Sequence, residues 1–91
     1  LKPDAYGPLL NLAALYILDR DLARAEDTFQ EALGRFPSDP HLLKRVSIFY
    51  YEYLGDSVKA AAYAEHAAGL DPQDGSITGW RDSLRKLPAS R

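Results

Sequence analysis

The sequence predicts an all-α protein of about five helices, arranged as antiparallel hairpins that stack side by side. Three observations carry that expectation. Apolar residues recur at helical spacing and nowhere alternate with the period of a strand. The chain is self-similar at an offset of 34 to 35 residues, a period of stacked supersecondary units rather than of a sheet. Asp, Pro and Gly punctuate the apolar stripes at matching places in each unit, where helices start and stop.

In the first unit, Leu9, Leu12, Ala13 and Tyr16 sit at i, i+3, i+4 and i+7 and form one stripe of a first helix. Pro8 fits its first turn, where a missing N–H costs nothing. Asp19-Arg20-Asp21 interrupts the stripe, and Asp21 is expected to cap the next helix. That second helix carries Ala25, Phe29, Ala32 and Leu33, with Gly34 expected as a left-handed C-cap and Pro37 closing the unit.

The second unit repeats this grammar. Asp39 caps, Pro40 opens the helix, and Leu43, Val46, Ser47 and Tyr50 make its stripe. Gly55 ends it and Asp56 caps the next helix, which holds Val58, Ala60, Ala61, Ala64, Ala67 and Ala68 and is expected to end at Gly69. A fifth helix is expected from about Ser76 to Leu87, stopped by Pro88, with Ile77, Trp80, Leu84 and Leu87 on one face.

The registers agree with one another. Leu9, Leu43 and Ile77 are 34 apart, as are Leu12, Val46 and Trp80, and Tyr16, Tyr50 and Leu84. Ala25 and Ala60, Ala32 and Ala67, and Gly34 and Gly69 are 35 apart. The extra residue therefore falls between Tyr50 and Gly55, where Leu54 lengthens a turn and an insertion costs least. The expected organisation is one domain over 1–91: a tail of a preceding repeat at 1–5, repeat one at 6–39, repeat two at 40–74 and a capping helix at 75–88.

With these residues in place the chain resembles the tetratricopeptide repeat family. Leu9, Leu12, Ala13, Tyr16, Ala25, Phe29, Ala32 and Pro37 fall where that family places its large, small, aromatic and proline positions. The resemblance implies a short right-handed α-solenoid whose first helices line a concave face. It also has departures. Ser47 stands at a Gly or Ala place, and Ala64 stands where Phe29 stood, so Tyr63 or Tyr53 is expected to fill the gap. Arg81 occupies a small-residue place, which suits a terminal cap.

Composition narrows the function. The chain has 91 residues, 46% hydrophobic and 26% charged, which is ordinary for a globular domain and unlike a disordered one. It opens on Leu1 with neither Met nor a leader pattern, and is expected to be an excised fragment of a longer chain or a processed product. Its longest apolar stretch, Leu9 to Leu18, contains Asn11 and spans ten residues, against about 20 for a membrane helix. No membrane insertion is expected. Eleven basic residues against thirteen acidic ones leave a net charge of −2, where a phosphate-tracking protein usually carries a positive field. Pentatricopeptide repeats, RNA readers of similar length, expect such a basic inner surface, so nucleic acid is not expected as a partner.

Chemistry is expected to be absent. With no Cys, disulfides, thiolate metal sites and cysteine nucleophiles are excluded. No phosphate loop, zinc-protease motif or serine elbow occurs. His41 and His66 lie on different predicted helices, and Asp39 beside His41 is already assigned to capping. Asp71-Pro72-Gln73-Asp74-Gly75 has the look of a calcium loop, but Gln73 and Gly75 occupy ligand places and the closing Glu is missing. No catalytic residue, metal site or cofactor is expected. Tyr6, Tyr51 and Tyr53 lie off the core stripes, and a base-stacking role is left open for them.

The expected function is a non-catalytic protein-interaction or scaffold module. Off the core stripe, the first helix leaves Leu10, Asn11, Ala14 and Ile17, the third leaves Lys44, Arg45, Ile48 and Tyr51, and the fifth leaves Thr78, Asp82 and Arg85. This set is the candidate concave face, apolar at one end and positive in the middle. Its expected partner is a protein or peptide with apolar anchors and an acidic group. The family's carboxylate-clamp members need Lys and then Asn one turn on. Leu10 and Ala14 stand there instead, so that clamp is not expected. The alternative is a structural spacer of a longer solenoid, or self-association into a homo-oligomer through exposed repeat ends.

Overall fold

A computed structural model describes residues 6–86. Five α-helices and no strand occur among them: α1 Gly7–Leu18, α2 Leu22–Arg35, α3 Pro40–Glu52, α4 Ser57–Leu70 and α5 Gly75–Arg85. The expected tail at 1–5, Leu87 and Pro88 lie outside the described residues. The chain divides into two compact units, Leu1–Pro37 and Ser38–Arg91.

In the first unit α1 pairs with α2. Asp21 caps α2 by accepting from the Arg24 N–H at 3.2 Å, which supplies one of the partners the first-turn N–H groups lack. The buried seam consists of Ala13 from α1 and Ala25, Thr28, Phe29 and Ala32 from α2. Alanines at the seam let two helix backbones approach closely. The open end of the hairpin is closed by an edge-on contact of Tyr6 with Phe36, ring centroids 5.8 Å apart. Leu9 and Tyr16 are half-buried, but Leu12 departs from its expected place in the core and is 39% exposed. The Ala13 side of α1 is the one turned to α2, and Leu12 lies about 100° away from it around the helix.

In the second unit α4 packs on both α3 and α5, and α5 also meets α3. Asp39, Asp56 and Asp74 cap the three helices through their carboxylate oxygens, as the sequence predicts for the first two. The expected α3 stripe of Leu43, Val46, Ser47 and Tyr50 is buried throughout, joined by Leu42 and Phe49. Ala60, Ala64, Ala67 and Ala68 from α4 and Ile77 and Leu84 from α5 complete the core. At the Ala64 gap, Tyr63 lies flat on Tyr50 with centroids 5.4 Å apart, while Tyr53 stacks on Phe49 and stays exposed.

Two turns show where the repeat gains its extra residue. Arg20 and Gly55, 35 residues apart, both adopt left-handed backbone, φ 62° and 65°. Just beyond them the Asp21 N–H donates to the Tyr16 carbonyl, five residues back, and the Asp56 N–H to the Tyr50 carbonyl, six back. The second turn is therefore longer by one residue, as the offsets predict. The left-handed cap expected at Gly34 and the helix end expected at Gly69 do not form. Both glycines stay inside their helices, which run on to Arg35 and Leu70. Good hydrogen-bonding continuity to the next residue outweighs the preference of glycine for a C-cap position.

Candidate functional site

The core stripe of α3 is fully enclosed, which defines the outer face of that helix. Ser47, wholly buried, donates from its hydroxyl to the Ala60 carbonyl at 2.6 Å and accepts from the Trp80 indole N–H at 2.8 Å. One small polar side chain thus ties α3 to both α4 and α5. Trp80 is half-buried rather than fully enclosed, and its ring meets Tyr51 edge-on at 5.6 Å. The expected surface residues Lys44, Ile48 and Tyr51 are half-buried and Arg45 is exposed. Neither Lys44 nor Arg45 forms an ion pair among the described residues.

The α5 members of the expected face are engaged elsewhere. Arg85 grips Glu65 of α4 with two parallel hydrogen bonds, 2.7 and 2.8 Å. That bond holds the Glu65 carboxyl below its ordinary range and the Arg85 guanidinium above its own. Asp82 accepts from Arg81 at 3.0 Å, and the Thr78 hydroxyl donates back to the Asp74 carbonyl at 3.2 Å. These three brace α5 and leave little polar capacity for a ligand.

On α1 the expected residues fall on two sides. Leu10 and Ile17 are half-buried on the flank next to Ala13, while Asn11 and Ala14 are exposed. Around them lies a surface the sequence stripe did not isolate. Leu12, Leu15 and Leu18 are 39%, 61% and 79% exposed, and with Tyr16 and Asp19 they line an open groove of about 470 Å³. The whole of α1, GPLLNLAALYIL, carries no charged side chain. The counterparts of Leu12 and Leu15 34 residues on, Val46 and Phe49, are almost completely buried, while that of Leu18 is the exposed Glu52. The α1 face is thus built of core-type residues held in water. The signal available in the sequence was composition: a helix with neither a charge nor a strongly polar face has no side prepared for solvent.

The aromatics off the core stripes all have ring partners: Tyr6 on Phe36, Tyr51 on Trp80 and Tyr53 on Phe49. Three groups able to hold a metal ion also converge. His41, Asp71 and Asp74 each bring a ligand atom within 4.8 Å of the others. Sequence reasoning treated them separately because 30 residues divide His41 from Asp71. No described helix is long and apolar enough to cross a membrane. Compared with models of known protein families the chain matches none, and no curated protein is significantly similar to it.

Proposed function

We propose that this chain is a non-catalytic protein-interaction module of the tetratricopeptide type, its hairpins forming part of a solenoid, and that α1 is its principal docking surface. The observation that carries the reading is the uncharged α1 face with Leu12, Leu15 and Leu18 in water at positions whose repeat counterparts include the buried Val46 and Phe49. Full burial of a leucine is worth about 1.5–3 kcal/mol, so covering the exposed parts of Leu15 and Leu18 offers about 3 kcal/mol. That is on the order of a hundredfold in affinity. The occupant is an apolar peptide or helix segment. Lys44 and Arg45 add a second surface that favours an acidic partner and sets its orientation more than its affinity. The described groups whose protonation is displaced, Glu65, Asp74 and Arg85, belong to a surface ion pair and a helix cap, which suits a scaffold.

The test is selection of a displayed random-peptide library on the immobilised chain, with enriched peptides re-measured on Leu15→Glu and on the double variant Lys44→Glu/Arg45→Glu. Peptides with apolar residues at helical spacing should emerge and lose about tenfold or more on Leu15→Glu. Acidic peptides should weaken on the double variant while the far-UV helix signal stays intact. Peptides that bind all three proteins equally would refute the assignment of both surfaces. Concentration-dependent mass by light scattering, abolished by Leu15→Glu, would instead identify the occupant of α1 as a second copy of the chain.

A further inference from the structure

Three helix ends meet in the second unit. His41 is the second residue of α3, Asp71 is the C-cap of α4 and Asp74 is the N-cap of α5. The turn between the two aspartates is closed by the Asp74 N–H donating to the Asp71 carbonyl at 3.2 Å. Within Asp74 the two carboxylate oxygens have separate tasks. Oδ1 accepts from the Ser76 N–H at 2.9 Å, the Ser76 hydroxyl at 2.7 Å and the Ile77 N–H at 3.4 Å. Oδ2 is turned instead toward the His41 imidazole, 3.6 Å from Nε2, a separation longer than a hydrogen bond. The orientation of the carboxylate is thus fixed from behind, as outer partners fix a metal-binding side chain. Among the described residues neither Asp71 nor Asp74 has a lysine or arginine partner. Two neighbouring carboxylates and an imidazole therefore share a site whose negative charge is left to solution cations.

We propose that His41, Asp71 and Asp74 form a binding site for a divalent transition-metal ion of the zinc class, which clasps the start of α3 to the α4–α5 turn. One nitrogen and two carboxylate oxygens are a donor set suited to Zn²⁺, Co²⁺ or Ni²⁺, whereas Ca²⁺ and Mg²⁺ prefer oxygen alone. Metal–ligand bonds of 2.0–2.2 Å place tetrahedral ligand atoms about 3.4 Å apart. The present separations, which reach no more than 4.8 Å, must contract by up to about 1.4 Å, within reach of side-chain rotation at His41, whose side chain is 62% exposed. Water completes the coordination. The site is structural: the ion holds three helix ends that otherwise share one turn and an unclosed imidazole–carboxylate approach. It is independent of the function proposed above, since peptide binding to α1 and metal binding in the second unit are measured separately.

The experiment uses untagged, chelator-treated protein titrated with Zn²⁺, and in parallel with Co²⁺ and with Ca²⁺, by calorimetry. Wild type should bind one Zn²⁺, Co²⁺ should show the visible absorption of a nitrogen–oxygen site, and Zn²⁺ should raise Tm. His41→Gln and Asp71→Asn should each weaken Zn²⁺ by about tenfold or more. Asp74→Asn, which keeps an oxygen for the helix cap, should do the same without unfolding the chain. Helix content by circular dichroism identifies any variant that has lost its fold, in which case amide shifts of wild type on Zn²⁺ addition decide: they should centre on His41, Asp71 and Asp74. The proposal is overturned if no stoichiometric binding occurs, if His41→Gln binds Zn²⁺ as wild type does, if binding is lost with His66→Gln instead, or if Ca²⁺ binds more tightly than Zn²⁺.

Discussion

Replacing Ser47 by Ala tests how the second unit is held together. The substitution deletes one buried oxygen and leaves helix geometry alone. Its hydroxyl currently donates to the Ala60 carbonyl and accepts from the Trp80 indole N–H. The Ala60 carbonyl keeps its partner within α4, because a mid-helix carbonyl also accepts the N–H four residues on. The indole N–H keeps nothing, and a buried donor left unsatisfied costs about 1–3 kcal/mol. Trp80 is half-buried, so water recovers part of that. Alanine also gains about 0.5 kcal/mol in helix propensity over serine. The net expectation is a loss of about 1 kcal/mol, or about 4–8 °C in Tm for a domain of this size. Because Trp80 is the single tryptophan, its fluorescence during urea unfolding reports the second unit directly. A double-mutant cycle with Trp80→Phe, followed by far-UV circular dichroism, isolates the pair and should give a coupling of about 0.5–1.5 kcal/mol. A Ser47→Ala variant as stable as wild type, together with zero coupling, would refute the reasoning.

Arg20 holds a left-handed backbone that its repeat counterpart gives to glycine, so Arg20→Gly should raise stability by about 0.5–1 kcal/mol in chemical denaturation. Gly55→Ala should lower it by about 1 kcal/mol in the same assay. The folded state holds the Asp74 carboxyl low, chiefly through the Ser76 hydroxyl, and the Glu65 carboxyl low, chiefly through Arg85. Groups depressed in the folded state contribute stability that is complete above their unfolded values, 3.8 and 4.5, and that is lost as the pH falls below them. Unfolding midpoints measured from pH 6 down to about pH 3 should therefore fall, and should fall less in Glu65→Gln.

The helices were legible because each is written twice. Tyr16 and Tyr50, Ala25 and Ala60, and the capping Asp21 and Asp56 repeat at fixed offsets, and a pattern that recurs in register constrains its own boundaries. The inserted residue near Leu54 was legible for the same reason, and the two turn hydrogen bonds register it. The exposure of Leu12 was not legible, since periodicity names a stripe but not which neighbour covers it. Gly34 and Gly69 were misread because a glycine near a helix end is only permissive of left-handed backbone and does not compel it. Of the expected face, the cations Lys44 and Arg45 were legible from type alone. The commitment of Arg85 to Glu65 was not, because 20 residues of chain separate the pair. Nor was the meeting of His41 with Asp71 and Asp74, which depends on how three helix ends are brought to one turn.

The two hairpins share one grammar but treat its core positions differently, and that difference bears on function. In the second unit α5 adds a third helix, bringing Ile77, Trp80 and Leu84 onto the α3–α4 pair. Among the described helices of the first unit α1 has α2 alone. A solvent-adapted outer helix ordinarily shows charges on its free side, and α2 does so with Arg24, Asp27, Glu31 and Arg35. α1 shows none. Leucines held in water at three successive turns gain nothing for the isolated hairpin, because the apolar area they expose stabilises a structure only once it is covered. The docking partner proposed above would account for the composition of α1, which local folding of the hairpin does not.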